Sequence, residues 1–210
     1  MAEAILPRWN GQTCVVAATG PGLSQEIAEQ CARLPSWVPV IAVNDAYRRI
    51  PSAEILFTGD RLWIAYHRDC PGFRGWKWAS DSRGDPRMIE LAEKHGYRII
   101  RVIEKPGFSY EIDRVHSGLN SGFQAVNMAI LLGAARILLV GFDMRGDHFF
   151  GKHAFRSHGD RSNFAAFIAH FRHAAKELPP TVEIVNCTPN SDLDCFPFGD
   201  FGDYVAEVAA

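Results

Sequence analysis

No charge of one sign dominates this 210-residue sequence: 22 Lys and Arg stand against 24 Asp and Glu, a formal net charge of −2. Domains that hold nucleic acid carry a clear basic excess, so that partner is not expected. Long apolar runs are missing as well. The most apolar stretch, 128–141, is shorter than a membrane span and is interrupted by Gly133 and Arg136. No basic segment leads into an apolar one near Met1, so no secretory signal is read. Cysteine is scarce: five residues with no C-x-x-C pair argue against both a disulfide framework and a zinc knuckle. Free buried thiols and a cytoplasmic location are the simpler account. No Gly-Lys-Ser/Thr follows a glycine turn, and no serine stands in G-x-S-x-G. A Walker phosphate loop and a covalent hydrolase are therefore disfavoured.

What is present is ordinary globular material, 47% hydrophobic, enough for one α/β domain over 1–210 with its core from about 13 to 196. Short β-branched apolar runs at 13–19, 40–43, 54–57, 97–102, 136–140 and 182–185 read as buried parallel strands. Helical spacing follows at 24–34, 62–68, 86–95, 121–132 and 163–178, and Ser24, Asp85 and Pro86 supply start signals. Residues 70–86 read as loop, and 104–118 as irregular. Strands alternating with helices predict a Rossmann-like open, mainly parallel sheet with helices on both faces.

Polar residues and glycines cluster just after the strands, at 20–22, 44–45, 58–60, 141–143 and 186–191. The carboxyl ends of an open parallel sheet form one rim where ligands bind, so these clusters predict a site. Thr19-Gly20-Pro21-Gly22 can bring N–H groups to a phosphate, or be a plain strand–helix turn. Asn44 and Asp45 can read a ribose or base edge, or cap a helix. The Ser121-Gly122 pair suits a phosphate or a cap. His148, His153 and His158 lie in one loop with Asp143, Asp147, Lys152 and Arg156. Their spacing matches no helical metal pair, and a histidine general base among cations that hold a phosphate fits better. His170 and His173 are expected on a helix surface. Trp63, Trp76 and Trp78 are expected as core or loop packing rather than a stacking platform, with Trp76 and Trp78 also able to line an acceptor groove.

In order, Gly20-Pro21-Gly22-Leu23, Val43-Asn44-Asp45, Asn120-Ser121-Gly122, the run Leu132 to Asp143, the histidine loop and Asn186 to Ser191 resemble the bacterial, metal-independent sialyltransferases of lipooligosaccharide. The wider superfamily includes pterin pyrophosphokinase-like proteins, and short relatives of this type occur in phage and prophage. The resemblance implies a nucleotide site at Thr19, Gly20, Pro21, Gly22, Asn44, Asp45, Ser121, Gly122, Thr188, Asn190 and Ser191. It implies His153, then His148, as catalytic base. Lys152, Arg156, His158, Asp60 and Asp143 are expected at the phosphate or substrate. Gly22 stands where the family pattern has serine, and the phosphate-gripping tyrosines have no counterpart in 145–160.

The expected function is a nucleotide-sugar-dependent, sialyltransferase-like glycosyltransferase with an unassigned acceptor and no cofactor. Two alternatives stay open: a pyrophosphokinase-type transferase needing Mg²⁺, and a nucleotide-binding phage protein without catalysis. A homo-oligomer is compatible with either.

Overall fold

The computed structural model describes residues 2–155 and 163–209. Eight strands form one parallel sheet: β1 (Thr13–Ala17), β2 (Val40–Val43), β3 (Ile55–Thr58), β4 (Trp76–Ser80), β5 (Arg98–Ile103), β6 (Arg114–His116), β7 (Arg136–Val140) and β8 (Glu183–Asn186). The spatial order is β6-β5-β4-β3-β2-β1-β7-β8. The chain thus winds outward from β1 to β6, then crosses back and lays β7 on the other side of β1. Loops leaving β1 and β7 diverge at that switch point, which opens a crevice at their carboxyl ends.

Alternation along β1 explains the layers. Cys14 and Val16 face one side, Val15 and Ala17 the other, and all four are fully buried. On the first side lie α4 (Ser121–Leu131) and α5 (Phe164–Lys176). Residues Gly122 to Leu131 of α4 are all buried, so this helix is enclosed around its whole circumference and forms the centre of the core. Phe123 stacks on Phe108 at 4.6 Å and meets Phe171 edge-on at 5.0 Å. On the opposite side, α1 (Gln25–Ala32) and α6 (Phe201–Ala209) cover β1, β7 and β8, while α2 (Arg61–His67) and α3 (Pro86–Lys94) cover β3 to β5.

Three segments depart from expectation. Residues 70–86 are not all loop, because 76–80 form β4 inside the sheet. Its tryptophans hide the strand period: Trp78 is buried, whereas the half-exposed Trp76 lies under the Arg98 guanidinium at 4.1 Å. Residues 104–118 contain the short strand β6, paired to β5. The core also extends past both expected limits, since Ile5, Trp9 and Phe201 are buried in it.

Candidate functional site

The glycine turn after β1 is occupied by the protein itself. Gly20 N–H donates to Gly141 O at 2.9 Å, and Gly22 N–H donates to both carboxylate oxygens of Asp143 at 2.9 and 3.0 Å. Pro21 has no N–H and is exposed. The expected phosphate cradle at Gly20, Pro21 and Gly22 therefore has its two glycine amides already paired, the second with a carboxylate. Burial raises the Asp143 carboxyl pKa above the usual carboxylate range, against the opposing pull of the Gly22 amide. Glycine is required here by close approach: a Cβ on Gly20 would lie 2.1 Å from Asp143 Oδ2 and 2.6 Å from Gly141 O. Gly20→Ala is accordingly expected to destabilise the fold by about 1–3 kcal/mol, read by thermal unfolding. An unchanged melting temperature would show that the β1 and β7 loops separate easily.

The second wall is the start of α4. Asn120, rather than Ser121, is its N-cap, with Oδ1 accepting from Phe123 N–H at 2.8 Å. That leaves the Ser121 hydroxyl to accept from Gly59 N–H at 2.9 Å, which joins α4 to the end of β3. Gln124 donates through Nε2 to Ser117 O at 3.0 Å and packs its Oε1 against Gly59, where a Cβ would come within 2.7 Å. Asn44 adopts φ of 49°, and its buried Oδ1 has no hydrogen-bond partner among the described residues. Asp60 is an N-cap for α2, accepting from Leu62 N–H at 2.9 Å, and it also borders the cavity.

Between these walls lies a cavity of about 570 Å³. Thr19, Gly20, Asn44, Ser121, Gly122 and Asp143 line it, and so do both leading histidines. The loop carrying them is fastened to the glycine turn: Thr19 Oγ1 lies 2.8 Å from His148 Nδ1, and Phe149 N–H donates to Thr19 O at 2.9 Å. The His148 and His153 rings are 4.7 Å apart. Arg61, Arg83 and Arg145 bring positive charge to the rim, although Arg83 is paired with Glu104 and Arg145 with Asp192.

Asp45 is placed differently from the ribose-reading role expected of it. It is 2% exposed and lies outside the cavity lining, among side chains from three elements. Trp63 Nε1 donates to its Oδ2 at 2.6 Å. His67 Nε2 lies 3.4 Å from Oδ1, and His153 Nδ1 lies 3.8 Å from Oδ2. Trp63 and His67, four residues apart on α2, stack at 4.3 Å. Burial lowers the His67 pKa, partly offset by Asp45.

The 188–191 segment is also displaced from the cavity. Thr188 Oγ1 accepts from Phe142 N–H at 2.9 Å, and Ser191 Oγ donates to Phe142 O. With Asn190 these residues border a separate depression beside Gly22, of about 1090 Å³. Lys152 is exposed and away from the cavity wall, while Arg156 and His158 lie outside the described residues. His173 is exposed as expected, but His170 packs on Phe123. Among the described residues no three or more His, Cys, Asp or Glu gather as metal ligands. No helix among them is long and apolar enough to cross a membrane.

Gln124 on the cavity wall and His67 behind Asp45 are residues that the sequence reading passed over, while Asn120 entered it only as part of the Asn120-Ser121-Gly122 segment. No protein-family model and no curated protein sequence matches this chain. Solved structures do share its fold. The MAf glycosyltransferase of Magnetospirillum magneticum AMB-1 superposes with a TM-score of 0.62 at 14% identity over 100% of this chain. The chain spans only 38% of that protein. The sialyltransferase CstII of Campylobacter jejuni, solved with the substrate analogue CMP-3FNeuAc, superposes with a TM-score of 0.55 at 13% identity, covering 89% of this chain and 85% of the other. The chain thus has the open α/β fold found in these glycosyltransferases.

Proposed function

We propose that the switch-point cavity is the donor site of a nucleotide-sugar-dependent, sialyltransferase-like glycosyltransferase. The observation that carries this reading is the pair His148 and His153 on the wall of one cavity that also takes in the start of α4. A helix start offers N–H groups and positive dipole to a phosphate. A histidine beside it can take a proton near neutral pH.

In this reading the donor phosphate lies on the Ser121-Gly122 side. The Asp143 carboxylate on Gly22 disfavours a second anion at the glycine turn. Asp143 and Asp60 instead suit hydroxyl groups of the sugar or acceptor. The acceptor oxygen forms the new bond to the anomeric carbon and gives its proton to His153. The bond from that carbon to the phosphate oxygen breaks, and the electron pair leaves with the nucleotide. Helix N–H groups and rim arginines stabilise the charge that develops on the phosphate.

Thermal unfolding with added ligands tests the reading. CMP or a CMP-sugar at about 100 times Kd is expected to stabilise the protein by about 2.7 kcal/mol. A domain of this size then melts several degrees higher. A shift with ATP plus Mg²⁺, abolished by EDTA, and none with CMP compounds would favour the pyrophosphokinase-type transfer instead. The notion of a phage nucleotide binder predicts the CMP shift without turnover.

A further inference from the structure

We infer that Gln124 is a specificity-determining residue of the cavity: its side-chain oxygen accepts a hydrogen bond from a hydroxyl group of the transferred sugar. The inference rests on the nucleotide-sugar reading and deepens it, by naming a group that the sugar must carry.

Buried polar atoms in a folded protein have partners, so an exception calls for a cause. Among the described residues three buried side-chain oxygens have none, those of Gln30, Asn44 and Gln124. The last two belong to residues that line the same cavity. Gln124 is only 7% exposed, and the orientation of its amide is fixed. Nε2 donates to Ser117 O at 3.0 Å, a place an oxygen cannot take, so Oε1 is turned toward Gly59.

Gly59 keeps bulk away from this oxygen. A Cβ there would lie 2.7 Å from Gln124 Oε1, 3.0 Å from Ser80 Oγ and 3.4 Å from Ser121 Oγ. All four residues line the cavity. The Ser121 hydroxyl accepts from Gly59 N–H and keeps its own proton to donate. An acceptor beside two hydroxyls suits a group that both donates and accepts. A phosphate or carboxylate only accepts and would oppose Oε1, whereas an ammonium only donates and offers the serines nothing. A sugar hydroxyl does both.

The place of Gln124 in the fold relates it to the sugar. Ser121 and Gln124 are three residues apart on α4, which puts their Cβ atoms roughly 5–6 Å apart on one helix face. A nucleotide in an open parallel sheet lies at the switch point, here between β1 and β7. Gly59 and Ser80 follow β3 and β4, on the far side of β2 from that point. The group that extends from a phosphate at Ser121-Gly122 toward them is therefore the sugar.

Isothermal titration of CMP and of CMP-sialic acid into wild type and Gln124→Met tests this, because methionine has a similar length and no acceptor oxygen. CMP is expected to bind both proteins within about twofold, while CMP-sialic acid binds the variant roughly 3- to 10-fold more weakly. On the wild type, one of a set of CMP-sialic acids each lacking a single hydroxyl is expected to show the same loss. Equal affinity of the two proteins for CMP-sialic acid, or an equal loss for CMP, would overturn the inference. The free protein supplies a further readout. Gln124→Met removes one hydrogen bond together with one unpaired buried acceptor, and these changes offset, so it is expected to melt within about 5 °C of wild type. A larger fall would mean that Oε1 has a partner within the protein, and would overturn the inference without any ligand. If neither CMP nor CMP-sialic acid binds wild type, the nucleotide-sugar reading falls and takes this one with it. Binding of both with no effect of Gln124→Met defeats the role of Gln124 alone.

Discussion

In His153→Ala, turnover is expected to fall by roughly 10²–10⁴ while the affinity for the nucleotide donor stays within a few-fold of wild type. The split follows from where the side chain sits. His153 is on the cavity wall with its Nδ1 toward Asp45, whereas the start of α4, where the phosphate is proposed to rest, is built from Asn120, Ser121 and Gly122. Removing the imidazole removes the proton acceptor without touching the capping bonds of that helix. His148→Ala is expected to cost less turnover, because Thr19 already engages its Nδ1 at 2.8 Å. Single-turnover kinetics beside isothermal titration measure the two quantities separately. Equal losses in affinity and turnover would make His153 a binding residue. Unchanged turnover would remove it from the chemistry and favour a binder.

The second large effect is structural. Asn127→Ala is expected to destabilise the protein by about 3 kcal/mol or more, lowering the melting temperature by about 6–12 °C. Asn127 is fully buried in the middle of α4. Its Oδ1 accepts from Ser109 N–H and His116 N–H, both at 2.9 Å, and its Nδ2 donates to Ser109 O at 2.8 Å. Truncation strands three buried backbone groups, each costing about 1–3 kcal/mol when left unpaired. These bonds pin the 104–118 segment to α4, and that segment carries Ser117, whose carbonyl orients Gln124. The damage therefore reaches the cavity. Asn127→Asp does not rescue it, because one carboxylate oxygen would oppose the Ser109 carbonyl. Calorimetric scans of the three proteins check this, and a loss below about 1 kcal/mol would show that the segment is held elsewhere.

The contrast between Asn127 and His153 shows what kind of information a sequence carries. An asparagine within an apolar helical run has no local partner, so nothing nearby in sequence announces its three bonds to residues 11 and 18 positions away. β4 was hidden for a related reason. Its two tryptophans blur the alternation, and Gly75 reads as a turn although it marks close approach to the β3 strand entry, with Glu54 O only 2.4 Å from a would-be Cβ. β6, three residues long inside a segment read as irregular, was missed as well; the other six strands were legible because parallel strands buried on both faces need continuous apolar runs.

By itself, then, the sequence determined the architecture: apolar runs of strand length separated by helical spacing dictate a parallel sheet, and the loops after the strands dictate a polar rim. It also named Asn44, Ser121, Gly122, His148 and His153, which the cavity gathers. The tertiary structure alone decided which polar groups remain for a ligand. Asp143 takes the Gly22 amide, Thr188 and Ser191 take the backbone of Phe142, and Asp45 turns under the floor toward Trp63 and two histidines. Backbone and side-chain groups buried by folding must find partners, and those partners come from distant strands. A rim is a local property of each strand end, but the site on it is what remains after long-range pairing is complete.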